Sequence, residues 1–235
     1  MPLRALLVLI ATLAFAVSPV FVPGFGGYEP AQFPNPIEAP VVQPAGYAFS
    51  IWGVIYLWLL VSAGFGLWKR RADPAWDATR LPLIVSLGVG AGWLAVAVAS
   101  PIWATVLIWV MLGGALWALS ETPQKDLWLL RAPIGLYAGW LTAASAVSIG
   151  LIAAGWSWPP LGETGWAFVA LGAGLAIAAA MLRRKASLFY GVALVWALVA
   201  VFVQNGPTAL GVFAAASALG VAGLTLLRLR RARRG

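Results

Sequence analysis

Long apolar runs separated by short polar connections dominate the chain. Each run is long enough to cross a bilayer core of about 30 Å as a helix, which takes about 20 residues. Apart from Arg4 at the start of the first run, none of them contains Asp, Glu, Lys or Arg. The pattern predicts an all-α integral membrane protein with eight transmembrane helices. The runs cover 3–22, 48–68, 81–99, 102–120, 133–155, 166–182, 186–203 and 208–227.

The fifteen Lys and Arg residues fall only on alternate connections. They lie in the N-terminal segment and in 69–80, 121–131, 183–185 and 228–234, and the four connections between these contain none. Cytoplasmic loops of membrane proteins carry an excess of Lys and Arg. The alternation therefore predicts a multi-pass protein of the bacterial inner membrane with cytoplasmic N- and C-termini. It also explains the net charge of +8 without a nucleic-acid partner.

The first run has a second interpretation. Arg4, the apolar stretch after it and Ala14-Phe15-Ala16 together resemble a signal peptide with its cleavage site. The apolar stretch nevertheless continues past that site through Val22. We therefore expect the first helix to be retained, with cleavage as the alternative.

Composition excludes several function classes. The chain is 62% hydrophobic and 9% charged, and it contains neither Cys nor His, so disulfides, thiolate metal sites and the usual haem ligand are excluded. No predicted span carries the lysine that a retinal protein needs or the ionisable groups typical of proton-coupled carriers. A nucleophile with a nearby base and a phosphate-binding loop are also lacking. We therefore expect no enzyme activity, no metal site and no required cofactor.

Two aromatic stripes are the candidate chemistry. In the stretch PAGYAFSIWGVIYLWLLVSAGFGLW (44–68), Phe49, Trp52 and Tyr56 are three and four residues apart, so they share one helix face. The connection before this stretch, 23–46, holds six prolines and no basic residue. Aromatic residues also gather at membrane interfaces without binding anything. Three on one stripe beside a proline-rich loop point instead to a flat apolar ligand.

These residues resemble the tryptophan-rich sensory protein family, also called the TspO or translocator protein family. Its second helix opens with Pro-Pro-x-Trp-x-Phe followed by Trp and Tyr, and here the run is Pro44-Ala45-Gly46-Tyr47-Ala48-Phe49, then Trp52 and Tyr56. Ala45 replaces the second proline, Tyr47 replaces a tryptophan, and the Phe-to-Trp spacing is one residue shorter. The family's Tyr-x-x-Trp and small residue in the fifth helix correspond to Tyr137, Trp140 and Ala144.

The resemblance implies a five-helix TspO-like bundle over 1–155, and 156–235 would add three transmembrane helices and a basic cytoplasmic tail. The ligand would be a tetrapyrrole such as a porphyrin, a sterol or a related pigment, bound between helices two and five under the proline-rich loop for sensing, regulation or delivery. The family's asparagine in the third helix is not evident near Trp93. The expected ligand-binding residues are Tyr47, Phe49, Trp52, Tyr56, Trp93, Tyr137, Trp140 and Ala144.

Other functions remain open from the residues alone. One is a structural or assembly subunit of a larger membrane complex, and another is a facilitative permease with an uncharged pathway. The sequence also leaves open whether the protein forms a homodimer. The basic tail 228–234 is interpreted as a topological anchor attracted to anionic lipids, with docking of an acidic partner as the alternative.

Overall fold

The computed structural model describes residues 2–22 and 26–232, and within these ranges every regular element is helical. All eight long helices have the length and apolar composition needed to cross a membrane. This confirms the predicted fold class, whereas the side on which the termini lie stays a prediction. The start of the proline-rich loop and the last residues of the basic tail fall outside the described residues. The helices are α1 (Pro2–Phe21), α2 (Ile51–Lys69), α3 (Pro74–Ala99), α4 (Pro101–Glu121), α5 (Ala132–Gly155), α6 (Glu163–Arg184), α7 (Leu188–Asn205) and α8 (Ala209–Ala232).

Helix α3 begins at Pro74, well before the predicted start at Leu81. The carboxylate of Asp73 accepts a hydrogen bond from the backbone N–H of Ala75 at 3.0 Å, so it caps the helix. Pro74 stands in the first turn, where its missing N–H costs no intrahelical bond. The polar residues after it therefore continue the helix instead of forming a loop.

Helix α5 is the centre of the molecule. In the most apolar 18-residue stretch of the span that contains α5, 78% of the residues are buried. The corresponding stretches of the other seven helices are 33–44% buried. Gly135 and Gly139 have no room for a side chain, because a Cβ there would collide with Ser187 and Tyr190 on the α7 side. The two helices can therefore pack with their backbones close together, as small residues allow within a membrane.

The helices alternate in direction, so the bundle has two distinct ends. The end that carries Lys69, Arg131 and Arg184 is called the basic end, and the end covered by residues 26–46 is called the loop end. Short 3₁₀ turns over Pro30–Gln32 and Gly46–Ser50 shape the covering loop, and a π-helical turn over Leu127–Arg131 leads into α5.

Hydrogen bonds fasten the loop to the helices beneath it. Phe33 is buried and fills the space beside Gly155, where a Cβ could not fit. The bonds reach four different helices, so the loop holds their ends together. They are Gln32 Nε2 to the Ala97 and Val98 carbonyls at 2.9 and 2.8 Å, Asn35 Nδ2 to the Gly155 carbonyl at 3.2 Å, Val41 N to Glu163 Oε1 at 2.8 Å, and Asn205 Nδ2 to the Val41 carbonyl at 2.8 Å.

Ion pairs hold α1, α2, α3 and the start of α5 together at the basic end, and we call them the paired cluster. Asp126 accepts hydrogen bonds from Arg70 Nε at 2.7 Å and from the Trp76 indole at 2.9 Å. The hydrogen bond from Arg70 holds the pKa of Asp126 below its usual range. Asp77 pairs with Arg4 Nη1 at 3.0 Å and with Arg80 Nη1 at 3.1 Å.

Candidate functional site

An apolar cavity lies between α5, α6 and α7, directly beneath the covering loop. Room for water-sized molecules amounts to about 90 Å³, whereas the whole space between the lining atoms, with its open mouth included, is about 840 Å³. The cavity is therefore narrow for its extent. Loop residues at its mouth are Gly27, Tyr28, Gln43 and Pro44, and α5 contributes Trp140, Ala143, Ala144, Ala146, Val147, Ser148 and Leu151.

Four of the eight residues expected to bind the ligand line this cavity, and four do not. Phe49 comes from the turn before α2, Trp93 from α3, and Trp140 and Ala144 from α5. Phe49 and Trp140 meet edge to face, with ring centroids 6.0 Å apart. Those outside the lining are Tyr47, Trp52, Tyr56 and Tyr137.

The expected space between helices two and five is already filled. Trp52 and Tyr56 stack on each other with centroids 5.4 Å apart, and Phe15 of α1 packs edge-on against them at 5.7 and 5.0 Å. Trp52 also reaches Trp140 at 6.1 Å, so the two predicted stripes do meet. The cavity opens on another face of α5, and Phe15 of α1 fills the space between helices two and five in which the ligand was expected.

The two remaining tyrosines serve packing. Tyr47 is 44% exposed and stands edge-on to Trp196 of α7, with centroids 5.3 Å apart. Tyr137 is fully buried in the bundle, where its hydroxyl lies 2.9 Å from Ser86 Oγ. Tyr137 therefore joins α5 to α3 and does not reach the cavity.

Polar groups in the cavity lining are few, and one of them has no partner. Trp140 is 2% exposed, and its indole Nε1–H has no hydrogen-bond partner among the described residues. The Trp93 indole instead donates to the Ala104 carbonyl at 2.8 Å. At the mouth, burial raises the pKa of Tyr28 to about 12, so its phenol is neutral at physiological pH. The lining contains no charged side chain from the described residues.

Sequence reasoning missed the walls that α6 and α7 provide. Their apolar side chains face the cavity, but similar residues on the same helices face outward. Nothing in the sequence separates the two sets, because lipid and protein interior are equally apolar surroundings. These wall residues are Leu171, Gly174 and Leu175 of α6 and Leu194, Ala197, Leu198 and Val201 of α7.

Comparison with known proteins identifies a family. Residues 3–228 match the profile of the family described as TSPO-like protein. The match extends beyond residue 155, so it includes the three helices to which the sequence resemblance did not reach. No curated protein and no solved structure matches the chain. Eight membrane-spanning candidates and a family match over nearly its whole length show that the chain is a multi-pass membrane protein belonging to the TSPO-like family.

Proposed function

We propose that the protein binds a flat, hydrophobic small molecule in the apolar cavity, as expected for a tetrapyrrole, a sterol or a related pigment. The observation that carries this proposal is the cavity itself. It combines apolar walls from three helices with the indole and phenyl rings of Trp140, Trp93 and Phe49. Ligand pockets are typically apolar with a few directing polar groups. Membership of the TSPO-like family supports the same class of ligand.

Trp140 adds a chemical preference to the proposal. A buried donor without a partner costs about 1–3 kcal/mol relative to a satisfied one. A ligand that carries a carbonyl, carboxylate or ring nitrogen near the Trp140 indole would remove this cost. The proposed ligand is therefore mostly apolar and carries at least one hydrogen-bond acceptor.

The small volume of the cavity implies that part of the protein moves when a ligand binds. Pockets for drug-sized ligands hold about 300–1,000 Å³, and the 90 Å³ of room for water-sized molecules is far smaller. The covering loop contributes Gln43 and Pro44 to the lining and is not a helix of the bundle. We infer that the loop acts as a lid, which shifts away from α5 when the ligand enters.

The proposed role is sensing, regulation or delivery of the ligand in the inner membrane, without enzymatic turnover. A porphyrin would be cargo or signal, and the fold would need no cofactor. The walls offer indole, phenyl and aliphatic surfaces, which suit binding by contact. The protein would bind its ligand as a monomer, as a homodimer or within a larger membrane complex.

Porphyrin titration of the purified protein tests the proposal. Trp140→Leu removes the stacking surface, and we expect about a tenfold weaker affinity, equivalent to about 1.4 kcal/mol. Trp140→Phe keeps a ring but removes the N–H donor, so its loss should be smaller. Trp117→Leu is the matched control, because Trp117 is 51% exposed on the outside of the bundle. Binding is followed by the Soret band of the porphyrin and by tryptophan quenching.

The rival function predicts a different outcome. A structural subunit would bind no porphyrin with useful affinity, and Trp140→Leu would match Trp117→Leu in every titration. It would instead purify with other membrane proteins in a fixed ratio. Equal behaviour of the two variants would therefore remove the ligand-binding proposal.

A further inference from the structure

Five basic side chains surround a second cavity, at the basic end of the bundle. It lies where α4, α6 and α8 end and where α5 and α7 begin. Room for water-sized molecules amounts to about 510 Å³, so the cavity is wide and open to water. Its cationic residues are Arg131, Arg184, Lys185, Arg228 and Arg231.

Among the described residues, no carboxylate forms an ion pair with any of these five side chains. Within 2–22 and 26–232, the ion pairs at the basic end use Arg4, Arg70, Arg80 and Lys125, and none uses a residue of this cavity. Glu121 is close enough to Lys185 to act on it electrostatically. It is itself exposed, and it does not line the cavity. The region therefore keeps a large excess of positive charge.

Backbone carbonyls hold three of the cations in place without cancelling their charge. Arg131 donates to the Pro123 carbonyl at 2.6 Å, and Lys185 Nζ donates to the Ser120 carbonyl at 3.1 Å. Arg228 donates to the Leu182 carbonyl at 3.2 Å and to the Arg183 carbonyl. These acceptors lie at or just past the C-terminal ends of α4 and α6, where a helix presents only about half a negative charge.

Burial and a neighbouring cation both disfavour the charged form of Lys185. Burial lowers the pKa of Lys185, and the neighbouring Arg131 lowers it further. An anion in the cavity would oppose both effects, because it favours the charged form of the lysine. The other two cationic residues of the cavity, Arg184 and Arg231, are exposed and make no hydrogen bond among the described residues. Their guanidinium groups are therefore available to a ligand.

We propose that this cavity binds a phosphate-bearing anion, and that the headgroup of an anionic phospholipid is the source its surroundings favour. Leu226 and Leu227 precede Arg228 on α8 and are 52% and 54% exposed, and Leu188 at the start of α7 is 41% exposed. They offer an apolar surface to acyl chains next to the charged cavity. Basic pockets between helix ends on the cytoplasmic side of membranes suit such headgroups.

The chain offers a charge-matched control for the test. Arg184 and Arg231 line the cavity, whereas their exposed neighbours Arg183 and Arg230 do not. The variants Arg184→Gln/Arg231→Gln and Arg183→Gln/Arg230→Gln therefore remove the same charge from the same two helix ends. They separate a built site from general attraction of basic residues to a negative surface.

The full-length protein and both variants are purified in neutral detergent and titrated with phosphatidylglycerol, and bound lipid is counted by native mass spectrometry. We expect about a tenfold weaker affinity for the cavity variant and less than a threefold change for the control. Phosphatidylcholine should bind all three proteins equally. A second arm adds inorganic phosphate, against chloride at equal ionic strength, and follows the thermal midpoint.

Each outcome has a defined meaning. A difference between the variants with phosphatidylglycerol supports a lipid headgroup site. If only inorganic phosphate distinguishes them, by stabilising the parent and the control variant but not the cavity variant, the site takes a soluble phosphate compound. Equal responses of the two variants in both arms overturn the proposal, since the charges would then act only as a general basic surface.

Discussion

The two ends of the helix bundle are closed in different ways. At the loop end a proline-rich segment covers the helices through hydrogen bonds, most of them between neutral groups, such as Asn35 to the Gly155 carbonyl. At the basic end the helix ends are held by charges, either in carboxylate pairs such as Arg70 with Asp126 or on carbonyls, as with Arg131. Each end holds one of the two cavities described above.

The two cavities differ in shape more than in extent. The space between the lining atoms is about 840 Å³ at the loop end and about 930 Å³ at the basic end. Room for water-sized molecules is about 90 Å³ in the first and about 510 Å³ in the second. The narrow apolar cavity suits a flat molecule that loses its hydration on binding, whereas the wide basic cavity suits a hydrated anion. The contrast is the reason that we propose two unrelated kinds of ligand for one bundle.

Cysteine labelling tests whether the two ends lie on opposite sides of the membrane. In intact cells each single Cys variant should be labelled either fully or not at all. The chain has no cysteine, so a single Cys substitution introduces the only thiol, and labelling reports on that one position. Gly162→Cys at the loop end should react in intact cells with an impermeant thiol reagent. Ala72→Cys at the basic end should react only after the membrane is opened, because basic connections stay in the cytoplasm. Labelling of Ala72→Cys in intact cells would contradict the predicted orientation.

Ala144→Phe tests the narrowness of the loop-end cavity. Ala144 lines this cavity, and a phenyl ring there would occupy the room on which a ligand depends. We expect porphyrin affinity to fall by about a hundredfold, equivalent to about 2.7 kcal/mol, while phosphatidylglycerol binding is unchanged.

The matched control for this substitution is Ala216→Phe. Ala216 is exposed on α8 and does not line either cavity, so its phenyl ring would face lipid. Porphyrin binding should match that of the parent protein. Parental affinity in Ala144→Phe would place the ligand elsewhere.

The sequence predicted the number and order of the helices because a membrane requires long uncharged spans. It failed at the start of α3, where Asp77 and Arg80 looked like loop residues. In the structure their charges pair with each other at 3.1 Å, and Arg80 Nη2 also donates to the Arg70 carbonyl at 2.7 Å. Polar residues can thus continue a helix where other segments supply partners, and those partners are distant in sequence.

The site was only partly predictable for a related reason. The sequence placed a ligand between helices two and five, where Trp52 and Trp140 lie, and in the structure these two rings contact each other directly, with centroids 6.1 Å apart. It did not predict that Phe15 of α1 fills the space beside Trp52. Spacing along one helix shows which residues share a face, but the partner helix on that face depends on packing between segments far apart in the chain.

Asp126→Asn tests how strongly the paired cluster holds the basic end. Asn keeps an acceptor for the Trp76 indole and tolerates the left-handed backbone at this position, φ 54°, but it removes the charge that pairs with Arg70. We expect the thermal midpoint at pH 7 to fall by roughly 3–6 °C. Glu121→Gln, which removes an exposed carboxylate at the same end, should change it by less.

The effect of Asp126→Asn should also depend on pH. The pairing lowers the pKa of Asp126 in the folded protein, so its stabilisation is complete above the unfolded value of about 3.9. It is lost as pH falls through the lower folded pKa. The difference in thermal midpoint between parent and variant should therefore shrink below about pH 4. A constant difference down to pH 2 would mean that the charge of Asp126 contributes nothing.

The smallest expected effect concerns the loop as a lid. Gln32 and Asn35 fasten the loop to the ends of α3 and α5, but neither lines the cavity. Gln32→Ala/Asn35→Ala should therefore loosen the lid without changing the walls. We expect porphyrin to enter and leave about threefold faster, since weakening neutral hydrogen bonds costs about 0.5–1.5 kcal/mol, with less than a twofold change in affinity.

Stopped-flow fluorescence of the tryptophans measures both rates, and Glu38→Ala is the control. Glu38 lies in the same loop, is exposed and makes no hydrogen bond or ion pair within the described part of the chain. A lid lowers or raises both rates together, because opening precedes entry and exit alike. If the double variant and the control share the rates of the parent, the loop is not the route. A ligand would then enter the apolar cavity from the lipid, by passing between α6 and α7, and the loop end would stay closed.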